Sequence, residues 1–199
     1  FVDSSADIDK AANRIVESKS FDNSVLCTNE SVLITLPEVD KQLRQSLKKY
    51  GAYFCNDDDT SRLRRYLFHG AGFNIETIGR DATWIAKECG IRVPEKTAIL
   101  VAPIDQIGIE EPLSREKLCP VLAYHVAKNR DQAIMQARAV LRLTGAGHSA
   151  AVHAMDETVT MAFARTLEVY RIVVNAPCSQ GAAGFGTALA PTFTIGTGF

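Results

Sequence analysis

No stretch of this 199-residue sequence approaches the roughly 18 consecutive apolar residues of a membrane-crossing helix, and no leader of the secretory type opens it. The reading is of a soluble protein. Charge of either sign is not in excess: a net charge of −1 and a pI near 6.5 give no electrostatic case for a nucleic-acid or membrane-surface partner. The basic clusters Arg62-Leu63-Arg64-Arg65 and Lys48-Lys49 are short and fall on predicted helices, where they read as solvated faces. The five cysteines, Cys27, Cys55, Cys89, Cys119 and Cys178, are odd in number, widely spaced and free of any CxxC pair. That excludes a disulfide framework and a zinc ribbon and points to a reducing, cytoplasmic compartment. In that setting the sequon Asn29-Glu30-Ser31 is idle.

Several motifs are missing too. HExxH, GxSxG and GxxxxGK[ST] do not occur, so zinc proteases, serine hydrolases of that type and P-loop enzymes find no support. Asn56-Asp57-Asp58-Asp59-Thr60 lacks the glycine and the distant glutamate of an EF-hand loop and reads as an N-cap cluster for a helix over Arg62–Phe68 closed by Gly70. Gly181-Ala182-Ala183-Gly184-Phe185-Gly186 has the order GxxGxG rather than GxGxxG, and no helix is predicted after it to hold a pyrophosphate. It reads as a loop at the mouth of a pocket.

What is present is an alternation of strands and helices. Ile8, Ala11, Ala12, Ile15 and Val16 recur at the helical period and predict a helix from about Asp7 to Lys19, with Ser5 as its N-cap. A buried strand over Ser31–Leu36 follows, then a helix entered through Pro37 with Val39, Leu43, Leu47 and Tyr50 on one face. Further along, a helix is predicted over Asp81–Cys89, strands over Thr97–Ala102 and Pro120–Val126, and a helix over Asp131–Leu143. Strand Ser149–His153, helix Glu157–Thr166 and strand Arg171–Asn175 complete the pattern. Ile104–Lys117 is irregular, acidic and long enough to be functional. The pattern predicts one α/β domain: a mainly parallel sheet flanked by helices in three layers, with ligands gathered in loops beyond the carboxyl ends of strands.

Two groups in this frame carry chemistry. Cys27 sits in a polar turn, Phe21-Asp22-Asn23-Ser24-Val25-Leu26-Cys27-Thr28-Asn29-Glu30, between the first helix and the first strand, where backbone N–H groups or a helix terminus can favour its thiolate. The bland alternative is a small buried apolar residue. Among four histidines, His69 reads as a helix-end residue and His125 and His153 as packed strand residues. His148 follows Gly145 and Gly147, which give the backbone room to turn beside a ligand, and is a candidate general base or thiolate partner.

Taken in order, five blocks resemble the catalytic domain of the CoA-acylating aldehyde dehydrogenases. The group includes the aldehyde half of the bifunctional aldehyde-alcohol dehydrogenases and the ethanolamine- and propanediol-utilisation enzymes. The blocks are Val2–Ile8, the Cys27 turn, Arg115-Glu116-Lys117-Leu118-Cys119-Pro120-Val121-Leu122, Gly147-His148-Ser149 with Asn175–Gly181, and Leu189–Gly196. The resemblance implies that Cys27 is the nucleophile, Glu116 the glutamate on the nicotinamide ribose, His148 the histidine that assists the thiol or CoA step, and Asn23 and Thr28 members of the substrate and oxyanion turn. It implies a small aldehyde substrate, NAD(P), CoA as co-substrate, no metal, a homo-oligomer, and a cytoplasmic or bacterial-microcompartment location. The family's NAD-binding domain and closing segment are expected outside residues 1–199, so that the chain is a catalytic domain with little turnover alone. A non-catalytic assembly module and a Cys27–His148 hydrolase stand as the alternatives.

Overall fold

The computed structural model describes residues 1–70, 72–143 and 145–192, so the part of the Leu189–Gly196 block beyond Thr192 lies outside the described residues. Among the described residues fifteen α-helices and strands follow one another: α1 Ile8–Ser20, β1 Val32–Thr35, α2 Pro37–Lys49, β2 Ala52–Phe54, α3 Asp57–Leu67, β3 Phe68–His69, β4 Gly72–Phe73, α4 Ala82–Glu88, β5 Ile99–Pro103, β6 Val121–Val126, α5 Arg130–Leu143, β7 Gly147–Val152, α6 Glu157–Thr166, β8 Val169–Val174 and α7 Cys178–Gly181. Strands β1, β6, β5 and β2 lie in that order in an all-parallel sheet. Strands β7 and β8 form a second parallel pair, and β3 and β4 a short antiparallel hairpin.

The central strands β5 and β6 are apolar apart from Tyr124 and His125, because both faces are covered. Side chains alternate across a strand, so Ile99, Val101, Leu122 and Tyr124 join Ile15 of α1 and Leu43 and Leu47 of α2 in one core. Leu100, Ala102, Val121 and Ala123 join Leu63 and Leu67 of α3 and Ile85 of α4 in the other. Each fully buried leucine contributes about 2 kcal/mol of hydrophobic stabilisation. The result is the helix–sheet–helix layering that the pattern predicts.

The helix starts show local physics at work. Asp7, not Ser5, caps α1, its carboxylate accepting from the Lys10 amide; the Ser5 hydroxyl instead accepts from the amides of Met155 and Asp156, ahead of α6. Asn56 and Asp59 form a capping box that starts α3 five residues before the predicted Arg62. His69 stands in the β3–β4 hairpin rather than at a helix end. Val2 joins the two parallel sheets: its amide donates to Ile34 O at 2.9 Å, and it pairs with His153 beyond the end of β7.

Candidate active site

The chain leaves α1 through a tight turn in which Asp22, Asn23 and Ser24 have φ of 50°, 48° and 63°. This left-handed region is uncommon outside glycine, and Asn and Asp tolerate it best. The turn is held from several sides. Asn23 Nδ2 donates to Gly79 O at 3.0 Å, and the buried Asn29 amide donates to Ser18 O and Phe21 O at the end of α1. Thr28 Oγ1 donates to Ser179 O in α7 at 3.2 Å. Cys27 is thereby presented at the tip with an exposed thiol. The preceding helix directs its carbonyl end toward this turn, which is the wrong polarity to favour a thiolate; the local group that faces the sulfur is an imidazole.

That imidazole belongs to His148, the second residue of β7 and so inside a strand rather than in the turn before it. Gly145 and Gly147 adopt φ of 97° and 113°, open only to glycine without strain, and carry the chain sharply into the strand. His148 Nε2 lies 3.0 Å from Cys27 Sγ, and Nδ1 lies 2.9 Å from Ser149 Oγ. Assigned from this network, the tautomer has Nδ1–H donating to Ser149, which leaves the Nε2 lone pair for the thiol proton. Burial, then the charge of Arg171, lower the His148 pKa from its usual value of 6.5, with Glu116 opposing. The ring is accordingly neutral near pH 7 and able to accept a proton.

Thiol and imidazole open on a cavity of about 570 Å³ that Thr28, Glu116, Gly145 and Ser149 also line. Glu116 is exposed at its edge, in the coil that follows a 3₁₀ turn over Pro112–Ser114. Asn23 does not line this cavity; its amide is engaged with Gly79. Nor do Gly181, Gly184 or Gly186: the residues from Cys178 to Gly181 form α7 against α1, so the GxxGxG loop is not at the mouth as expected.

Behind the turn lies a polar layer that the sequence did not flag. Glu30 Oε1 accepts from the Cys178 amide at 3.3 Å, and burial raises its pKa. Ser18 and Ser179 exchange hydrogen bonds of 2.8 and 3.1 Å, fastening α1 to α7. His125 and His153 are both buried, as their apolar neighbours predict, at 6 % and 2 % exposure. Among the described residues, no cluster of three or more His, Cys, Asp or Glu can hold a metal ion, and no helix is long and apolar enough to cross a membrane. Ser149 was visible beside His148 in the sequence, but nothing there showed that a residue adjacent in the chain would reach the ring nitrogen.

No family model matches the chain. Compared with known proteins, it is 38 % identical over 208 aligned residues to the aldehyde-alcohol dehydrogenase of Streptococcus pneumoniae serotype 4, an alignment that takes in 100 % of this chain and 24 % of that enzyme. A crystal structure of an acetylating aldehyde dehydrogenase from Geobacillus thermoglucosidasius superimposes with a TM-score of 0.95 at 33 % identity, over 99 % of this chain and 44 % of that one. A Rhodopseudomonas palustris propionaldehyde dehydrogenase, solved with bound CoA and an acylated cysteine, gives a TM-score of 0.89 at 29 % identity, over 99 % of this chain and 44 % of that one. The chain thus spans between about a quarter and a half of the length of the proteins it matches. Over nearly its whole length the chain is thus similar, in sequence and in fold, to one segment of the aldehyde-alcohol and acylating aldehyde dehydrogenases.

Proposed function

We propose that this chain is the thiol-bearing catalytic domain of a CoA-acylating aldehyde dehydrogenase that converts a small aldehyde to its acyl-CoA. The observation that carries the reading is the 3.0 Å approach of a neutral imidazole to an exposed thiol on a cavity. His148 Nε2 takes the Cys27 proton, and the thiolate adds to the aldehyde carbonyl to give a thiohemiacetal. Loss of hydride from that carbon leaves a Cys27 thioester, and the thiol of CoA displaces the acyl group, returning Cys27. Once the Cys27 proton has passed from His148 to solvent, the neutral ring can accept the proton that the attacking CoA thiol gives up and return it to the departing Cys27 thiolate. The backbone N–H groups of the Cys27–Thr28 turn supply the kind of donor that stabilises negative charge developing on a carbonyl oxygen.

NAD(P), when bound, accepts the hydride. Glu116 suits that group: an exposed carboxylate on the wall of the cavity that holds the thiol offers two acceptor oxygens to a ribose diol. Most of the nucleotide contacts we assign to the part of the family's length that lies outside this chain. The intact enzyme is read as a cytoplasmic homo-oligomer. Replacing Cys27 with Ala in the full-length protein tests the proposal: NADH formation from aldehyde plus CoA is abolished while circular dichroism and melting are kept, and retained activity rejects the assignment.

A further inference from the structure

Two lysines, Lys19 at the end of α1 and Lys117 beside Glu116, are 0 % and 1 % exposed. Taking an ammonium out of water costs several kcal/mol that an apolar side chain of similar length avoids. Among the described residues neither amine makes an ion pair with a carboxylate; both donate to the backbone of one loop. Lys117 Nζ donates to Leu113 O at 2.6 Å and to Arg115 O at 2.8 Å, so the chain wraps around its own amine. Lys19 Nζ donates to Lys117 O at 3.3 Å, and the Lys117 amide donates to Ser31 Oγ at 3.0 Å.

These ties have one geometric effect. The carbonyl before Glu116 and both the amide and carbonyl after it are directed inward, and the Glu116 side chain is left on the exposed side, at the cavity. The loop is held farther back by Glu111, which pairs bidentately with Arg64 and accepts from the Leu113 amide at 3.0 Å. Lys19 precedes the thiol turn directly, and Ser31 follows it, so the clamp takes its bearings from the same backbone that presents Cys27.

We infer that Lys19 and Lys117 are positioning residues for Glu116, fixing the distance between that carboxylate and the Cys27 turn and hence the seat of the nucleotide relative to the thiol. The inference rests on the reading of Glu116 as a nucleotide contact. Burial lowers the Lys117 pKa to about 7 and the Lys19 pKa to about 8, and the two amines also repel each other, so both work at the edge of their charged range. Either protonation state keeps the two donors that Lys117 uses.

The test compares Glu116→Ala, Lys117→Met and Lys19→Met in the full-length protein, reading KM for NAD, KM for aldehyde and the rate at which iodoacetamide inactivates Cys27. Glu116→Ala and Lys117→Met should each raise KM for NAD about tenfold, as expected for losing one well-placed contact, with the aldehyde KM and alkylation rate within about twofold of the parent. If Glu116→Ala raises KM for NAD and Lys117→Met does not, the positioning role is rejected while the Glu116 reading stands. If Glu116→Ala has no effect, both are rejected. A Lys117→Met protein in which all three quantities worsen together indicates a merely structural lysine and overturns the inference. Should that variant fail to fold, Lys19→Met decides, since it removes a single tie to the same loop: a selective rise in KM for NAD supports the role, and its absence rejects it.

Discussion

His148 Nε2 and Cys27 Sγ stand 3.0 Å apart although they lie 121 positions apart in the chain, the first on a strand of the β7–β8 pair and the second in the turn between α1 and β1. On the proposed reading of Cys27 as nucleophile, its quality is set by this meeting, because the helix end next to it offers no help. What acts on the imidazole therefore acts on the thiol.

Ser149 is the nearest such influence. Replacing it with Ala removes the acceptor for Nδ1–H and lets the neutral ring exchange tautomers, so that Nε2 carries the proton part of the time. Acyl-enzyme formation should slow about tenfold, close to the worth of one hydrogen bond, with the melting temperature nearly unchanged. Rapid-mixing measurement of NADH release reads the rate directly.

Arg171 acts through charge. It lies close enough to the ring to hold the His148 pKa below its usual value, adding to the effect of burial. Neutralising it by Arg171→Met should raise that pKa. The base is active when unprotonated, so the acid limb of the kcat/KM profile moves toward higher pH, and activity at pH 6 falls relative to activity at pH 8. A pH profile of parent and variant measures the displacement; a shift toward lower pH runs against the assignment of His148 as base.

The core sets the scale for structural damage. Leu63 of α3 is fully buried between its helix and the sheet. Leu63→Ala should cost about 3 kcal/mol from lost transfer energy and the cavity left behind. Urea denaturation followed by circular dichroism gives the number, and the iodoacetamide rate at Cys27 serves as the control.

Long amphipathic helices and both-face-buried strands were legible because their periods repeat enough to be read: α6 falls on Glu157–Thr166 as expected, and β6 begins one residue inside the predicted start. β2, of three residues, and the hairpin β3–β4, of two plus two, are too short to show a period and went unseen. The Asn56–Thr60 cluster was legible as an N-cap, but the start of α3 was placed at Arg62 because only the folded chain shows Asn56 and Asp59 closing a capping box that takes Asp57–Thr60 into the helix. At the site, Cys27 and His148 stood out by residue type and by the turns around them. Lys19 and Lys117 were illegible, since a lysine in a polar stretch reads as solvated and only the folded chain shows the carbonyls that each amine reaches. Glu30 was hidden in the same way.

The seam at Val2 bears on the reaction more than its position suggests. Cys27 lies in the turn that leads into β1, and His148 is part of β7; the backbone of residues 1–3 links these strands, through Val2 to Ile34 on one side and through Phe1 and Asp3 to His153 on the other. Proton transfer between sulfur and nitrogen tolerates a change of only a few tenths of an ångström. The reach of the proposed base is consequently gauged by a three-residue splice whose Phe1 lines the same cavity, and slackening that splice would detune the thiol without touching either member of the pair.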